Sequence, residues 1–162
     1  MRRVAFAGVL AVIYSSALPA LAEVDLATVD ACIEQARSDG QVPTACIDAA
    51  QADCQAETSD SHMVAALCYT KAREVWGTGI RDRMQLISAS APENVAAIAG
   101  IEVKYDLLAN LTQCDRMEEL SRVGEATNEE IQRQKARCEA SASGLAYLRL
   151  VWRSADMPLE EK

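Results

Sequence analysis

Six cysteines are the feature that most restricts what this 162-residue chain can fold into. They are Cys32, Cys46, Cys54, Cys68, Cys114 and Cys138. Zinc and thiol redox chemistry are not expected, because the sequence has no Cys-x-x-Cys pair and a single histidine, His62. An even set of cysteines predicts three disulfides if the chain reaches an oxidising compartment. The start of the chain indicates that it does.

Residues 1 to 22 have the three parts of a secretory signal peptide. Arg2 and Arg3 precede an apolar run over 4 to 14, and an Ala-Leu-Ala cleavage site occupies positions 20 to 22. We predict cleavage after Ala22 rather than a membrane anchor. No lipid anchor is expected, because the residue after the cleavage site is not a cysteine and the first cysteine is Cys32. The product is predicted to be periplasmic or secreted, in a Gram-negative-type bacterium, with no membrane element of its own.

Residues 23 to 162 are predicted to form a single helical, cysteine-rich domain, because this length is typical of one compact core. The full chain carries 16 basic and 24 acidic residues, a net charge of −8 that becomes −10 when Arg2 and Arg3 leave with the signal. This charge repels nucleic acid. It favours a cationic protein partner, although an acidic surface also serves simply to keep an exported protein in solution.

Chain breakers separate five segments of helical composition, at about 25 to 38, 43 to 56, 61 to 87, 92 to 122 and 128 to 153. Alanine, leucine, glutamate, glutamine and arginine dominate these segments, and strand patterns are almost absent. The sequence therefore predicts an all-α fold, in which disulfide-braced helical hairpins form a small bundle of about five helices. Within the third segment, Gly77-Thr78-Gly79 costs about 2 kcal/mol in helix propensity and marks a candidate kink or break.

Two of these segments show apolar faces that are expected to pack into the core. The face of the fourth advances in steps of three and four residues through Ile98, Ile101, Tyr105, Leu108 and Leu111. The face of the fifth runs through Ile131, Cys138, Leu145, Leu148 and Trp152. A predicted capping box, in which the Thr127 hydroxyl and the Glu130 carboxylate satisfy first-turn amides, begins the fifth helix. Trp76 and Trp152 are expected to be core residues rather than partner anchors.

Neighbouring cysteines straddle the breaks between helices almost symmetrically. The pairs are Cys32 with Cys46 around Gly40, Cys54 with Cys68 around Ser61, and Cys114 with Cys138 around Ala126. Residues equally distant from the turn of an antiparallel hairpin lie opposite each other, within the roughly 4.4 to 6.8 Å that a disulfide requires between α-carbons. This symmetry predicts pairing in chain order. A crossed pairing of Cys32 with Cys54 and Cys46 with Cys68 stays open. A nested pairing fails, because Cys46 and Cys54 lie about 12 Å apart along one predicted helix.

The first half of the chain resembles a known family. The residues that carry the resemblance are Ala31-Cys32, the run Cys46-Ile47-Asp48-Ala49-Ala50-Gln51-Ala52-Asp53-Cys54-Gln55-Ala56-Glu57-Thr58, and Met63, Cys68 and Trp76. They are similar to the LprI-like family of small exported bacterial proteins, named for a lysozyme inhibitor, and Cys114 and Cys138 are similar in placement to its later cysteines. The chain departs from the family's Trp-Asp and Leu-Asn pairs, where it has Trp76-Gly77 and Ile80-Arg81. The resemblance implies a helical exported protein that binds lysozyme-type muramidases.

No catalytic, cofactor or metal site is predicted, and the chain is not expected to be an enzyme. His62 lies beside Asp60 near a helix start, without a nucleophile to serve, and is expected at the surface. The acidic pairs Glu118-Glu119 and Glu129-Glu130 point about 100° apart on a helix and predict a solvated face.

The predicted function is that of a periplasmic binding protein, a lysozyme inhibitor that acts by non-covalent occlusion through a carboxylate-rich helix face. The alternative is an envelope adaptor or structural interaction module without inhibitory activity. The partner is expected to be a protein. The sequence does not predict which surface binds it or what the oligomeric state is.

Overall fold

The computed structural model describes residues 24–56 and 61–157, which form six α-helices and contain no β-strand. The helices are α1 (Leu26–Ser38), α2 (Ala45–Ala50), α3 (Ala52–Ala56), α4 (His62–Ser90), α5 (Glu93–Ser121) and α6 (Asn128–Ser154). The predicted all-α fold, a small bundle braced by disulfides, is confirmed. The predicted signal peptide, residues 1 to 22, lies outside the described residues.

The segment predicted as one helix over 43 to 56 is instead two short helices, α2 and α3. The backbone leaves the helical conformation at Gln51, with φ −110° and ψ 8°, and α3 begins at the next residue. Pro43 lies in the turn before α2, where its carbonyl accepts a hydrogen bond from the Cys46 amide at 3.0 Å. The described residues therefore contain one helix more than the sequence predicts.

Three disulfides brace the helices, and they join the cysteines in chain order. Their α-carbons are 5.9 Å apart for Cys32–Cys46, 5.5 Å for Cys54–Cys68 and 5.6 Å for Cys114–Cys138. The first joins α1 to α2, the second α3 to α4, and the third α5 to α6. Each of the six helices is thus covalently attached to a neighbour.

The centre of the bundle is the contact between α4 and α6, where two glycines make room for two aromatic side chains. Trp76 and Tyr147 are buried, with ring centroids 5.6 Å apart. A Cβ at Gly144 would lie 2.8 Å from Ile47 Cγ2 and 3.1 Å from Trp76 Cε2, and one at Gly79 would lie 2.8 Å from Tyr147 Cε2. Each glycine therefore accommodates the aromatic ring of the opposite helix.

Helix α4 is continuous through Gly77-Thr78-Gly79, so the candidate break in this segment does not form. Tertiary packing explains the continuity. Trp76 and Ile80 on either side of the triplet are buried in the core, and Gly79 lies directly beneath the Tyr147 ring. Burial of large apolar side chains contributes about 1.5 to 3 kcal/mol each, enough to offset the low helix propensity of the two glycines.

The apolar stripe of α5 does not face the core, and that prediction is wrong. Ile98, Ile101, Tyr105 and Leu108 are exposed, and Leu111 is only half-buried. The core side of α5 is instead marked by buried Ala99 and Cys114, with Val103 and Leu107 half-buried. Two ion pairs with α6 hold this smaller face inward. They join Asp106 to Arg149 at 3.0 Å and Glu102 to Arg153 at 2.6 Å.

Helix α6 begins at a cap that forms only in part. The Thr127 hydroxyl accepts a hydrogen bond from the Glu130 amide at 3.2 Å, as expected, whereas the Glu130 carboxylate accepts from the Gln134 side chain. Ile131 and Leu148 are buried as predicted, while Cys138, Leu145 and Trp152 are half-buried.

None of the helices in the described residues is long and apolar enough to cross a membrane.

Candidate functional site

The three short helices at the start of the described chain form an acidic surface, which we name the acidic cap and define as residues 24–56. This segment has one basic residue, Arg37, against six acidic ones: Asp25, Asp30, Glu34, Asp39, Asp48 and Asp53. Residues 61–157, which contain α4 to α6, have 13 acidic and 12 basic side chains. Most of the net negative charge of the described residues is therefore in the cap, and residues 61–157 are nearly neutral.

Five carboxylates of the cap are exposed, namely Asp25, Glu34, Asp39, Asp48 and Asp53. Among the described residues, none of these five forms an ion pair. The one cation of the cap does not neutralise them, because the Arg37 guanidinium is paired with Asp156 and lies 5.9 Å from the centroid of the Trp152 ring. The cap thus presents uncompensated negative charge to solvent.

Hydrogen bonds at the start of α1 favour the ionised form of one of these carboxylates. Asp25 accepts hydrogen bonds from the Ala27 amide at 3.1 Å and the Thr28 hydroxyl at 2.6 Å. These bonds, the one from Thr28 first, lower the pKa of Asp25 below its ordinary value. The ionised form of Asp25 is therefore favoured down to a lower pH than that of an ordinary aspartate.

The cap is held rigidly on the bundle by contacts besides the disulfides. The Tyr147 hydroxyl of α6 donates a hydrogen bond of 2.6 Å to Asp30 Oδ1 of α1. Burial, and then this bond to Asp30, raises the pKa of Tyr147 above its ordinary range. Ile47 of α2 packs in the space above Gly144. Covalent bridges, a part-buried hydrogen bond and core packing together fix the positions of the carboxylates.

A shallow groove of about 300 Å³ lies between α1 and α2, beside the Cys32–Cys46 disulfide. Its walls are mainly apolar, from Val29, Ala49 and Ala50, and Asp25 is also among the residues that line it. A groove lined by apolar side chains and one carboxylate suits the stem and head of a lysine or arginine side chain. It could thus receive one cationic side chain of a partner protein.

The residues that the sequence singles out for chemistry do not come together. His62 is exposed at the first residue of α4, and Asp60 lies outside the described residues. Over 24–56 and 61–157, no three His, Cys, Asp or Glu side chains are grouped to hold a metal ion. All six cysteines are in disulfides. Trp76 is a core residue as predicted.

The predicted solvated face at Glu118-Glu119 is correct only for Glu119, which is exposed. Glu118 is half-buried and paired with Lys135 of α6 and with Arg122 at 2.5 Å. Hydrogen bonds from Lys135 and then Arg122 lower the pKa of Glu118 below its ordinary value. This carboxylate joins α5 to α6 and is not available to a partner.

Sequence reasoning identified the net negative charge but missed its location. The signal was present in the order of charges, since a single basic residue occurs between positions 24 and 56. The groove had no such signal, because it depends on how α1 and α2 are joined.

Comparison with protein-family models, curated proteins and solved structures finds no match to this chain. The resemblance to the LprI-like family therefore stays a prediction.

Proposed function

We propose that this protein is an exported binding protein whose acidic cap docks on a cationic protein, a lysozyme-type muramidase, and inhibits it by non-covalent occlusion. The observation that carries the proposal is a set of five exposed carboxylates that form no ion pair with any described residue. They belong to the cap, which holds most of the net negative charge of the described residues. The family resemblance suggests the class of partner.

Electrostatics would act mainly on the encounter between the two proteins. A surface of one sign attracts a partner of the opposite sign and raises the association rate, by about tenfold to a thousandfold in favourable cases. Salt screens this attraction, so that at physiological ionic strength exposed charges interact only over about 8 Å. The proposed inhibition is therefore expected to weaken as salt concentration rises.

The groove beside Cys32–Cys46 would give the complex its close contacts. A lysine or arginine of the partner would lay its stem on Val29 and Ala49 and bring its charge to Asp25. Because the Cys54–Cys68 disulfide and the Tyr147–Asp30 hydrogen bond already attach the cap to the bundle, little ordering would accompany binding. Such preorganisation favours affinity.

Residual muramidase activity, measured against increasing protein at low and at high salt, tests the proposal. We expect inhibition at micromolar protein in low salt and a clear loss of inhibition in high salt. Full enzyme activity at micromolar protein and low salt would sink the proposal.

A pair of matched double variants tests the role of the cap. Asp48→Asn with Asp53→Asn removes two exposed cap carboxylates, and Glu119→Gln with Glu125→Gln removes two exposed carboxylates from the bundle. Both lower the net negative charge equally. The cap variant is expected to weaken inhibition about fivefold or more, because close interfacial charges contribute most. Equal effects of the two variants would contradict docking through the cap.

The second candidate function is an envelope adaptor that binds a protein without inhibiting it. The exposed apolar face of α5 favours this candidate, because it gives the molecule a second surface that is separate from the cap. Calorimetry with the purified muramidase separates the two functions. Binding without any loss of turnover would support the adaptor and contradict the inhibitor.

A further inference from the structure

Four large apolar side chains form an exposed row along α5, which we name the α5 seam: Ile98, Ile101, Tyr105 and Leu108. Their exposed fractions are 55%, 55%, 63% and 57%. A contiguous row of this kind is uncommon on the surface of a monomer and usually marks an interaction site. The seam is therefore a candidate interaction surface.

The spacing of the seam specifies the kind of partner. Its members follow one another at three, four and three residues, the a and d positions of a coiled-coil heptad. This narrow row differs from the wider stripe by which a helix usually faces a globular core. The core contacts of α5, through Ala99, Val103 and Leu107, are on the opposite side of the helix. A second helix, lying nearly parallel to α5 in either direction, fits the free side.

We propose that the α5 seam pairs with the α5 seam of a second copy of this chain, forming a symmetric dimer. The charge distribution carries the choice of partner. The seam belongs to the nearly neutral bundle, and α5 makes no contact with the described helices of the acidic cap. Two copies can therefore meet through surfaces that carry little net charge, although each full chain has a net charge of −8. A cationic partner would favour the cap instead.

The residues that flank the seam select the direction of pairing. Glu102 and Lys104 occupy the e and g positions beside it, and Ala97 and Ala109 are the nearest g and e positions in the neighbouring turns. All four are exposed. An antiparallel pairing centred on the seam would bring the two Lys104 side chains together, which is unfavourable. A parallel, in-register pairing places each Lys104 opposite an alanine, so the two copies run in the same direction.

Sedimentation equilibrium of the purified, disulfide-bonded chain tests the dimer without any muramidase, so its result is independent of the proposed inhibition. We expect a concentration-dependent dimer at physiological salt. Ile101→Lys, in the centre of the seam, is expected to raise the dimer dissociation constant at least tenfold. The matched control is Leu120→Lys, also on α5 and 73% exposed but outside the seam, which should leave it unchanged.

Both lysine variants reduce the net negative charge, so weaker association cannot be due to greater overall repulsion. At a concentration low enough for both variants to be monomeric, circular dichroism should show the same helix content and thermal midpoint in both, since neither side chain is buried. A wild-type chain that remains monomeric at hundreds of micromolar would overturn the dimer. A dimer that Ile101→Lys leaves intact would overturn the seam as its interface.

Ala109→Glu tests the direction of pairing. In the parallel dimer the new carboxylate faces Lys104 of the second copy on both sides, so we expect tighter dimerisation at low salt and no gain at high salt. In an antiparallel dimer the new charge meets no lysine and adds to the net repulsion. Weaker dimerisation of this variant at low salt would overturn the parallel arrangement.

Discussion

At the scale of single residues, Gly79 and Gly144 determine how closely α4 and α6 approach. Glycine is a poor helix former, and two such residues in helix interiors would ordinarily weaken the fold. Here the atoms around each position leave no room for a side chain. Gly77, in the same turn of α4 as Gly79, provides the contrast, because the nearest atom to an added Cβ there is Arg81 Nη1 at 3.7 Å.

Gly144→Ala is expected to destabilise the protein by about 1 to 3 kcal/mol, because its methyl group would overlap Ile47 and Trp76. Gly77→Ala is the matched control. It is expected to stabilise by up to about 1 kcal/mol, since it gains helix propensity without a clash. Urea unfolding measures both. A stabilising Gly144→Ala would contradict the close packing described for α4 and α6.

Tyr147 links the cap to the core through its hydroxyl, and this link depends on pH. Since the folded-state pKa of Tyr147 is raised above its ordinary value of about 10, the hydroxyl contributes full stability below about pH 10. The contribution is lost as pH rises through the folded-state pKa. Burial raises the pKa of Tyr69 in the same direction.

Tyr147→Phe is expected to lower the free energy of unfolding at neutral pH by about 1 to 3 kcal/mol, through loss of the bond to Asp30. The variant should also lose less stability than the wild type between pH 10 and pH 12. A parallel pH dependence of Tyr147→Phe and wild type would show that this hydroxyl does not carry the effect.

At the scale of elements, α5 is the helix least buried in the bundle. Only Ala99 and Cys114 are buried along its 29 residues, whereas α6 buries eleven side chains or glycines. The other attachments of α5 are half-buried contacts and ion pairs with α6, which are individually weak because they are partly exposed. The Cys114–Cys138 disulfide is thus its strongest tie.

Replacing Cys114 and Cys138 together by alanine is expected to destabilise the protein by about 3 to 4 kcal/mol, the cost of losing a cross-link of this loop length. Hydrogen exchange should accelerate most in α5, while the amides of α4 and the second half of α6 stay protected. Replacing Cys32 and Cys46 by alanine is the control, with acceleration expected in α1 and α2. Uniform acceleration after loss of Cys114–Cys138 would contradict a separately attached α5.

At the scale of the whole molecule, charge and apolar surface are segregated. Most of the excess of acidic over basic side chains among the described residues is in the acidic cap. The exposed apolar seam lies on the nearly neutral bundle. This division matches the two proposed contacts, a cationic protein at the cap and a second copy of the chain at the seam. Disulfides in each part suit an oxidising, extracellular environment.

Export with removal of residues 1 to 22 is the prediction for the chain as a whole. Expressed with its own leader in a Gram-negative host, the protein is expected in the periplasmic fraction, starting at Glu23. Its intact mass should be six hydrogens below that of the reduced form, as three disulfides require. Recovery of the full-length chain from the membrane fraction would contradict cleavage.

The sequence by itself determined the properties that depend on local chemistry. Helix propensity and the near absence of strand patterns predicted the all-α class, and an even set of cysteines around symmetric turns indicated how the hairpins are braced. Net charge also follows from composition alone. These properties need no knowledge of which helices are neighbours.

Only the tertiary structure decided which faces are buried. α5 has two apolar sides, and the one with larger residues, Ile98 to Leu108, is exposed because the smaller side, around Ala99 and Val103, packs against the bundle. Gly79 proved to be a packing residue for the same reason, since its neighbours lie far away in sequence. Burial depends on the shapes of distant segments, and a local pattern contains no information about those shapes.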